Sequence, residues 1–227
     1  MVKLNKIQLI IHATVKLIFG LGIIALLLFL PAGTWQYWHA WLLLALLFVP
    51  MICMGVVMLV FSPELLSKRL NNKEKEQTQK HVVALSGLMF IAGFLLCGFD
   101  YRFVWSQMPV WVVITASLLF LIGYMLYAEV LRENAYLSRT VEVQDDQQLI
   151  DTGLYSVVRH PMYTATLLMF LSMPLILGSW WALLIFFIYP ILIIKRIQNE
   201  EQVLREGLKG YNEYQQRVRW RLIPYVW

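Results

Sequence analysis

The chain carries apolar runs too long for the core of a soluble domain. Four stretches, about 10–30, 37–61, 82–99 and 110–131, reach or approach the roughly 20 residues that take an α-helix across a hydrocarbon core. A fifth, about 161–197, is too long for one crossing. Gly178-Ser179 lies in its middle, and glycine is a helix-stop signal. Division there gives two short helices, 161–177 and 180–197, in a tight hairpin. Pro161 suits a first helical turn, where its missing N–H costs nothing. Pro174 and Pro190 are expected to kink the two arms. Charged residues make up only 15% of the chain, against about 25% in soluble domains. The expected fold is an all-α integral membrane protein with about six transmembrane helices, the last two forming the hairpin.

The basic residues supply an independent test of six spans. With the N-terminus in the cytoplasm, every lysine and arginine of the 19 except Arg102 falls on the cytoplasmic side, as the positive-inside rule requires. A five-span count would move one end across and spoil that bias. Both termini are therefore expected in the cytoplasm. The basic start and apolar run of the first segment have the order of a signal peptide. Lys16 interrupts that run, however, and Pro31-Ala32-Gly33 leads straight into further apolar sequence, so a retained span is expected. Trp35, Tyr37, Trp38, Trp41, Trp105, Trp111, Trp180 and Trp181 cluster at the opposite ends of the spans and read as an interfacial aromatic belt. Cys53 and Cys97 sit inside apolar runs, and no Cys/His spacing suggests a metal site. The segment 62–81 reads as a solvated connector along the membrane surface. Nothing in the pattern points to nucleic acid. The expected division is a four-span region, 1–131, and a C-terminal region, 132–227, that builds a cytoplasmic pocket.

Most side chains with chemical potential follow Arg132. The loop 132–160 is long for a connector, and long ordered loops are often functional. It contains Gln147-Gln148-Leu149-Ile150, then Gly153-Leu154-Tyr155, then Arg159-His160-Pro161-Met162-Tyr163. Beyond the hairpin lie Arg196 and Glu200-Glu201, then Tyr211, Tyr214 and Arg219-Trp220-Arg221-Leu222-Ile223-Pro224. Arg196 and Glu200, four apart, share a helix face. They form either a surface ion pair or part of a polar cavity, since charges facing lipid are costly. Arg159-His160 precedes a helix start, where backbone N–H groups and the helix dipole suit an anion. Basic snorkelling at the interface would explain the same residues.

As a spaced set, these pieces resemble the C-terminal half of the isoprenylcysteine carboxyl methyltransferase family, in its bacterial membrane branch. The resemblance covers 147–225. One departure is Ala165, where the family often has glycine two residues after the motif tyrosine. The resemblance implies a transferase using S-adenosylmethionine in a membrane, a bacterial inner membrane by that branch. By position, Gln147, Gln148, Leu149, Ile150, Tyr155, His160, Pro161, Met162, Tyr163 and Glu200 match family cofactor contacts. Arg196 matches a catalytic, substrate-binding residue. The implied acceptor is lipid-like or prenylated and is most simply a carboxylate, with membrane lipids as further partners.

The residue types suit that chemistry. Glu200 fits either the cofactor ammonium or its ribose hydroxyls. His160 fits its carboxylate or its adenine edge. Tyr155 and Tyr163 fit adenine or the sulfonium. The planar guanidinium of Arg196 fits an acceptor carboxylate. Two other readings use the same residues. Sterol reductases, which use a nicotinamide cofactor, share paired tyrosines and an Arg-x-Ile-Pro ending. A non-enzymatic transporter or partner subunit would favour broken helices and a polar site at mid-membrane.

Overall fold

The computed structural model describes residues 6–70, 77–137, 143 and 147–227. Lys3, Lys73, Lys75, Arg139, Asp145 and Asp146, read above as parts of the N-terminal segment, the connector and the long loop, lie outside the described residues. The fold is all-α, with no strand among the described residues. Helices α1 (Lys6–Ala32), α2 (Trp38–Phe61), α4 (Gln77–Phe103) and α5 (Val110–Glu133) coincide with the four long runs and extend them by a few residues. A short helix, α3 (Pro63–Leu70), lies in the connector and buries Leu65 and Leu66. Its last carbonyl, on Leu70, accepts from Lys16 Nζ at 2.5 Å. A cation at a helix C-terminus is where the helix dipole favours one.

The hairpin follows the sequence closely. Its first arm is α6 (Pro161–Ile176), with Pro161 in the first turn. Gly178 turns the chain at φ +81°, a backbone region open to glycine. The second arm is α7 (Trp180–Phe186) continued by α8 (Ile188–Gly207). The bend expected from Pro190 appears as a break at Phe187, because proline offers no N–H to the carbonyl four residues back, that of Phe186. The last helix is α9 (Tyr211–Arg217).

Among the described residues, five segments are long and apolar enough to cross a membrane: α1, α2, Gln79–Phe103, α5 and Trp180–Gly207. The expected sixth span, α6, has 16 residues. At 1.5 Å per residue it reaches about 24 Å, short of a hydrocarbon core about 30 Å thick. It is buried along much of its length. Helix α5 packs along it, and Gly123 lacks the Cβ that would lie 2.9 Å from the Ala165 carbonyl. The departure at Ala165 thus falls at a tight helix–helix contact, where its side chain is fully buried.

The end of the bundle away from α6's start is closed by Asp100, 2% exposed. Its carboxylate accepts from Ser106 N and Ser106 Oγ, each at 2.7 Å, and from Ser179 Oγ. Ser179 Oγ in turn caps α7 by accepting from Ala182 N at 3.0 Å. The tryptophans expected in a belt are all exposed at this end, with relative exposures of 44–69%. Tyr37 does not join them. It is fully buried and its hydroxyl donates to the Leu177 carbonyl at 2.6 Å, so the belt assignment is corrected for this residue. Tyrosine with an internal acceptor is a core residue despite its sequence neighbours.

Replacing Asp100 by alanine removes the acceptor from the buried Ser179 hydroxyl and the half-buried Ser106 hydroxyl, at about 1–3 kcal/mol for an unsatisfied buried group. Asp100→Ala should therefore lower the thermal midpoint in detergent by several degrees, and Asp100→Asn by less. An unchanged midpoint would contradict the clasp.

Candidate active site

The pocket lies where the chain enters α6. Gly153–Ser156 form a 3-10 turn held by the end of α5. Leu154 N donates to the Glu133 carboxylate at 3.0 and 3.2 Å. Gly153, at φ +53°, passes so close that a Cβ would lie 1.4 Å from a Glu133 oxygen. Asn134 Nδ2 donates to Tyr155 Oη at 2.9 Å, and Tyr214 Oη donates to the Tyr155 carbonyl at 2.7 Å. The turn is thereby fixed from both sides.

The next residues are locked by the tail. Arg159 N and His160 N donate to the carbonyls of Trp220 and Arg221, both at 2.9 Å. Arg159 Nη1 adds bonds to the carbonyls of Val218 and Arg219 at 2.7 and 2.9 Å. Beneath them sits Glu201, 1% exposed. It accepts from Arg159 Nε at 2.8 Å and Arg221 Nε at 3.0 Å, and lies 3.2 Å from His160 Nε2. This corrects two expectations. Arg159 does not snorkel; it is a buried structural cation. The amides of Arg159 and His160 serve the tail and Pro161 has none, so these three residues offer no backbone donor to an anion at the start of α6.

On α8, Arg196 and Glu200 face the same space with Tyr163 between them. Tyr163 Oη donates to Glu200 Oε2 at 2.5 Å and accepts from Arg196 Nε at 2.8 Å. The shared face expected from their spacing is present, and a tyrosine hydroxyl bridges it. Gln79 at the start of α4, fully buried, donates to the Arg196 carbonyl at 3.2 Å and to Asn199 Oδ1 at 2.6 Å. It steadies this turn of α8 from a second helix.

Every site residue named from the sequence lines one cavity. Gln147, Gln148, Leu149 and Ile150 come from the strand-like run before the 3-10 turn, and Tyr155 from the turn itself. His160, Pro161, Met162 and Tyr163 open α6, and Arg196 and Glu200 project from α8. The space between these side chains, counted out through its open mouth, is about 870 Å³. Burial pushes the hydroxyls of Tyr155, Tyr211 and Tyr214 upward from the ordinary tyrosine value, so all three stay neutral at physiological pH. Among the described residues no group of histidine, cysteine or carboxylate side chains is arranged to hold a metal.

Sequence reasoning missed four contributors. Asn134 and Tyr136 line the cavity from just beyond α5, and Gln79 supports it from a segment in which no chemistry was visible. Glu201 was quoted in the motif without a role. Helical geometry could have separated the two glutamates. Adjacent residues point about 100° apart, so only one can share the Arg196 face, and the other must turn inward.

The comparisons agree with this geometry. Residues 111–209 match the family model described as phospholipid methyltransferase. The match covers less than half of the chain and includes Tyr163, Arg196 and Glu200. A stretch of 91 residues is also 32% identical to Delta(14)-sterol reductase TM7SF2 of Mus musculus. That stretch is 39% of this chain and about a fifth (22%) of the reductase.

Removing the Glu201 carboxylate leaves Arg159 buried without its anion, which costs about 3–5 kcal/mol in comparable pairs. Glu201→Ala should unfold at a clearly lower temperature than wild type and expose residues 218–227 to protease. A variant with wild-type stability and a protected tail would show that the tail is held by its backbone bonds alone.

Proposed function

We propose that the chain is an S-adenosylmethionine-dependent methyltransferase whose acceptor is a hydrophobic, lipid-like or prenylated molecule methylated on a carboxylate. The observation that carries this reading is the Arg196–Tyr163–Glu200 array at one cavity inside the family-matched domain. The residues present fit the cofactor. An acidic side chain, Glu200, and an aromatic wall that includes Tyr155 and Tyr163 suit a cation that carries a nucleoside.

When bound, S-adenosylmethionine supplies a methyl group activated on a sulfonium. Glu200 places a negative charge beside that cation or its ammonium. Arg196 orients the acceptor carboxylate through its planar guanidinium. The Tyr163 hydroxyl bridges Arg196 and Glu200 and fixes both on the cavity wall. A carboxylate is already ionised at pH 7. Transfer to it needs no general base, and alignment of the two reactants supplies much of the rate. Held by these residues, the cofactor would supply its methyl group to the carboxylate oxygen and would leave as a neutral thioether, with a neutral ester as the product. The basic residues support an orientation with the pocket and both ends of the chain in the cytoplasm, and the resemblance to the bacterial branch implies a bacterial inner membrane.

The sterol reductase match favours a second reading, in which the same cavity takes NADPH. A binding titration of the detergent-solubilised protein separates the two. S-adenosylmethionine at 100 times its Kd should raise stability by about 2.7 kcal/mol. Glu200→Ala should weaken that binding about tenfold or more, as expected for a lost charge-assisted bond. Protection by NADPH and not by S-adenosylmethionine would replace the transferase with the reductase. With labelled S-adenosylmethionine and a native membrane lipid extract, Arg196→Ala should lose most methyl transfer to the organic phase while cofactor Kd stays within about threefold. Full transfer by that variant would remove Arg196 from catalysis.

A further inference from the structure

The cavity has two unlike ends. One holds Tyr163, Arg196 and Glu200. At the other, Leu208, Tyr211, Tyr214 and Val218 form a separate buried apolar cluster, with Leu149 and Leu204 packed against it. Gly210, at φ +84°, starts α9 and lets the chain pass close to Leu149, whose Cδ2 would lie 3.6 Å from a Cβ there. This places Tyr211 in the first turn of α9, lining the cavity.

Tyr211 is 3% exposed, and its hydroxyl has no hydrogen-bond partner among the described residues. Its neighbour in the cluster differs, since Tyr214 Oη is fully used on the Tyr155 carbonyl. A buried hydroxyl without a partner costs about 1–3 kcal/mol, and such groups in native proteins call for an explanation. The Tyr211 hydroxyl is an unused polar handle beside the apolar cluster of Leu208, Val218, Leu149 and Leu204. A flat heteroaromatic ring fits there. Its faces lie against leucine and tyrosine side chains, and its edge offers a hydrogen-bonding atom to the hydroxyl.

We infer that the Tyr211 hydroxyl binds the edge of the purine base of the cofactor, so that the apolar end of the cavity is the base slot and the Arg196 end faces the acceptor. This rests on the transferase reading and assigns that cofactor's orientation. Charge favours the same direction, because the cationic sulfur end then lies toward Glu200 and away from the leucines.

The test is a set of binding measurements on Tyr211→Phe, which removes the hydroxyl and keeps the ring. Without ligand, its thermal midpoint should equal or exceed that of wild type, since no protein bond is lost and the cost of the unsatisfied hydroxyl is removed. S-adenosylhomocysteine should bind about 5- to 20-fold more weakly. Four analogues of S-adenosylhomocysteine, the 1-deaza, 3-deaza, 7-deaza and 6-deamino forms, each alter one polar atom of the base edge. One of them should bind wild type at least fivefold more weakly than the parent and show no such loss with Tyr211→Phe. If all four penalties are the same in wild type and variant, or if the unliganded variant is destabilised by several degrees, the inference is overturned. If wild type itself binds NADPH and not S-adenosylhomocysteine, the transferase reading has failed, and the inference falls with it.

Discussion

Glu201 is the point on which the site depends. A carboxylate that is almost wholly removed from solvent must have cationic and hydrogen-bonding partners, or it would not stay ionised. Here the partners come from two parts of the chain distant from α8, Arg159 and His160 before α6 and Arg221 in the tail. The same arginine then uses its remaining donors on tail carbonyls. One charge therefore fixes the relative placement of the α6 entry, the α8 face and the tail. Tyr163 and Glu200 owe their contact to this arrangement, because each lies within a few residues of a member of the cluster.

Much of the fold was legible because the bilayer enforces simple rules. A run of about 20 apolar residues has few alternatives to a helix. Thus 110–131 became α5 with the same first residue, and Gly178-Ser179 became the turn between α6 and α7. The pocket residues were legible through a spaced motif, which carries more information than composition. Periodicity alone gave only the common face of Arg196 and Glu200.

What was not legible depends on contacts distant in sequence. Tyr37 looked like one more interfacial aromatic beside Trp35, Trp38 and Trp41. Its burial follows from the carbonyl of Leu177, which lies far along the chain. The amides of Arg159 and His160 looked available to an anion, as they would be at an isolated helix start. The tail residues that occupy them begin some sixty positions later. Gln79 is similar. Its neighbours suggest a solvated connector, yet α8 packs against it and supplies its acceptors. Local rules describe an element well and describe its neighbours poorly.

The shortness of α6 gives the site its position. A 16-residue helix reaches about 24 Å, some 6 Å less than a typical hydrocarbon core. Its far end is tied to the turn at Leu177–Ser179 by Tyr37 and Asp100, so the deficit falls at its Pro161 end. That end is where Tyr163, Arg196 and Glu200 meet. A polar array at the level where apolar side chains give out can be approached by a water-soluble molecule from one side and a lipid-like molecule from the other. Helices α1, α4 and α5 extend over 24 to 27 residues each and need no such deficit. The arms of the hairpin are therefore unequal for a physical reason. The long arm carries Arg196 and Glu200 past the end of the short one, and the space left beyond Pro161 becomes the pocket.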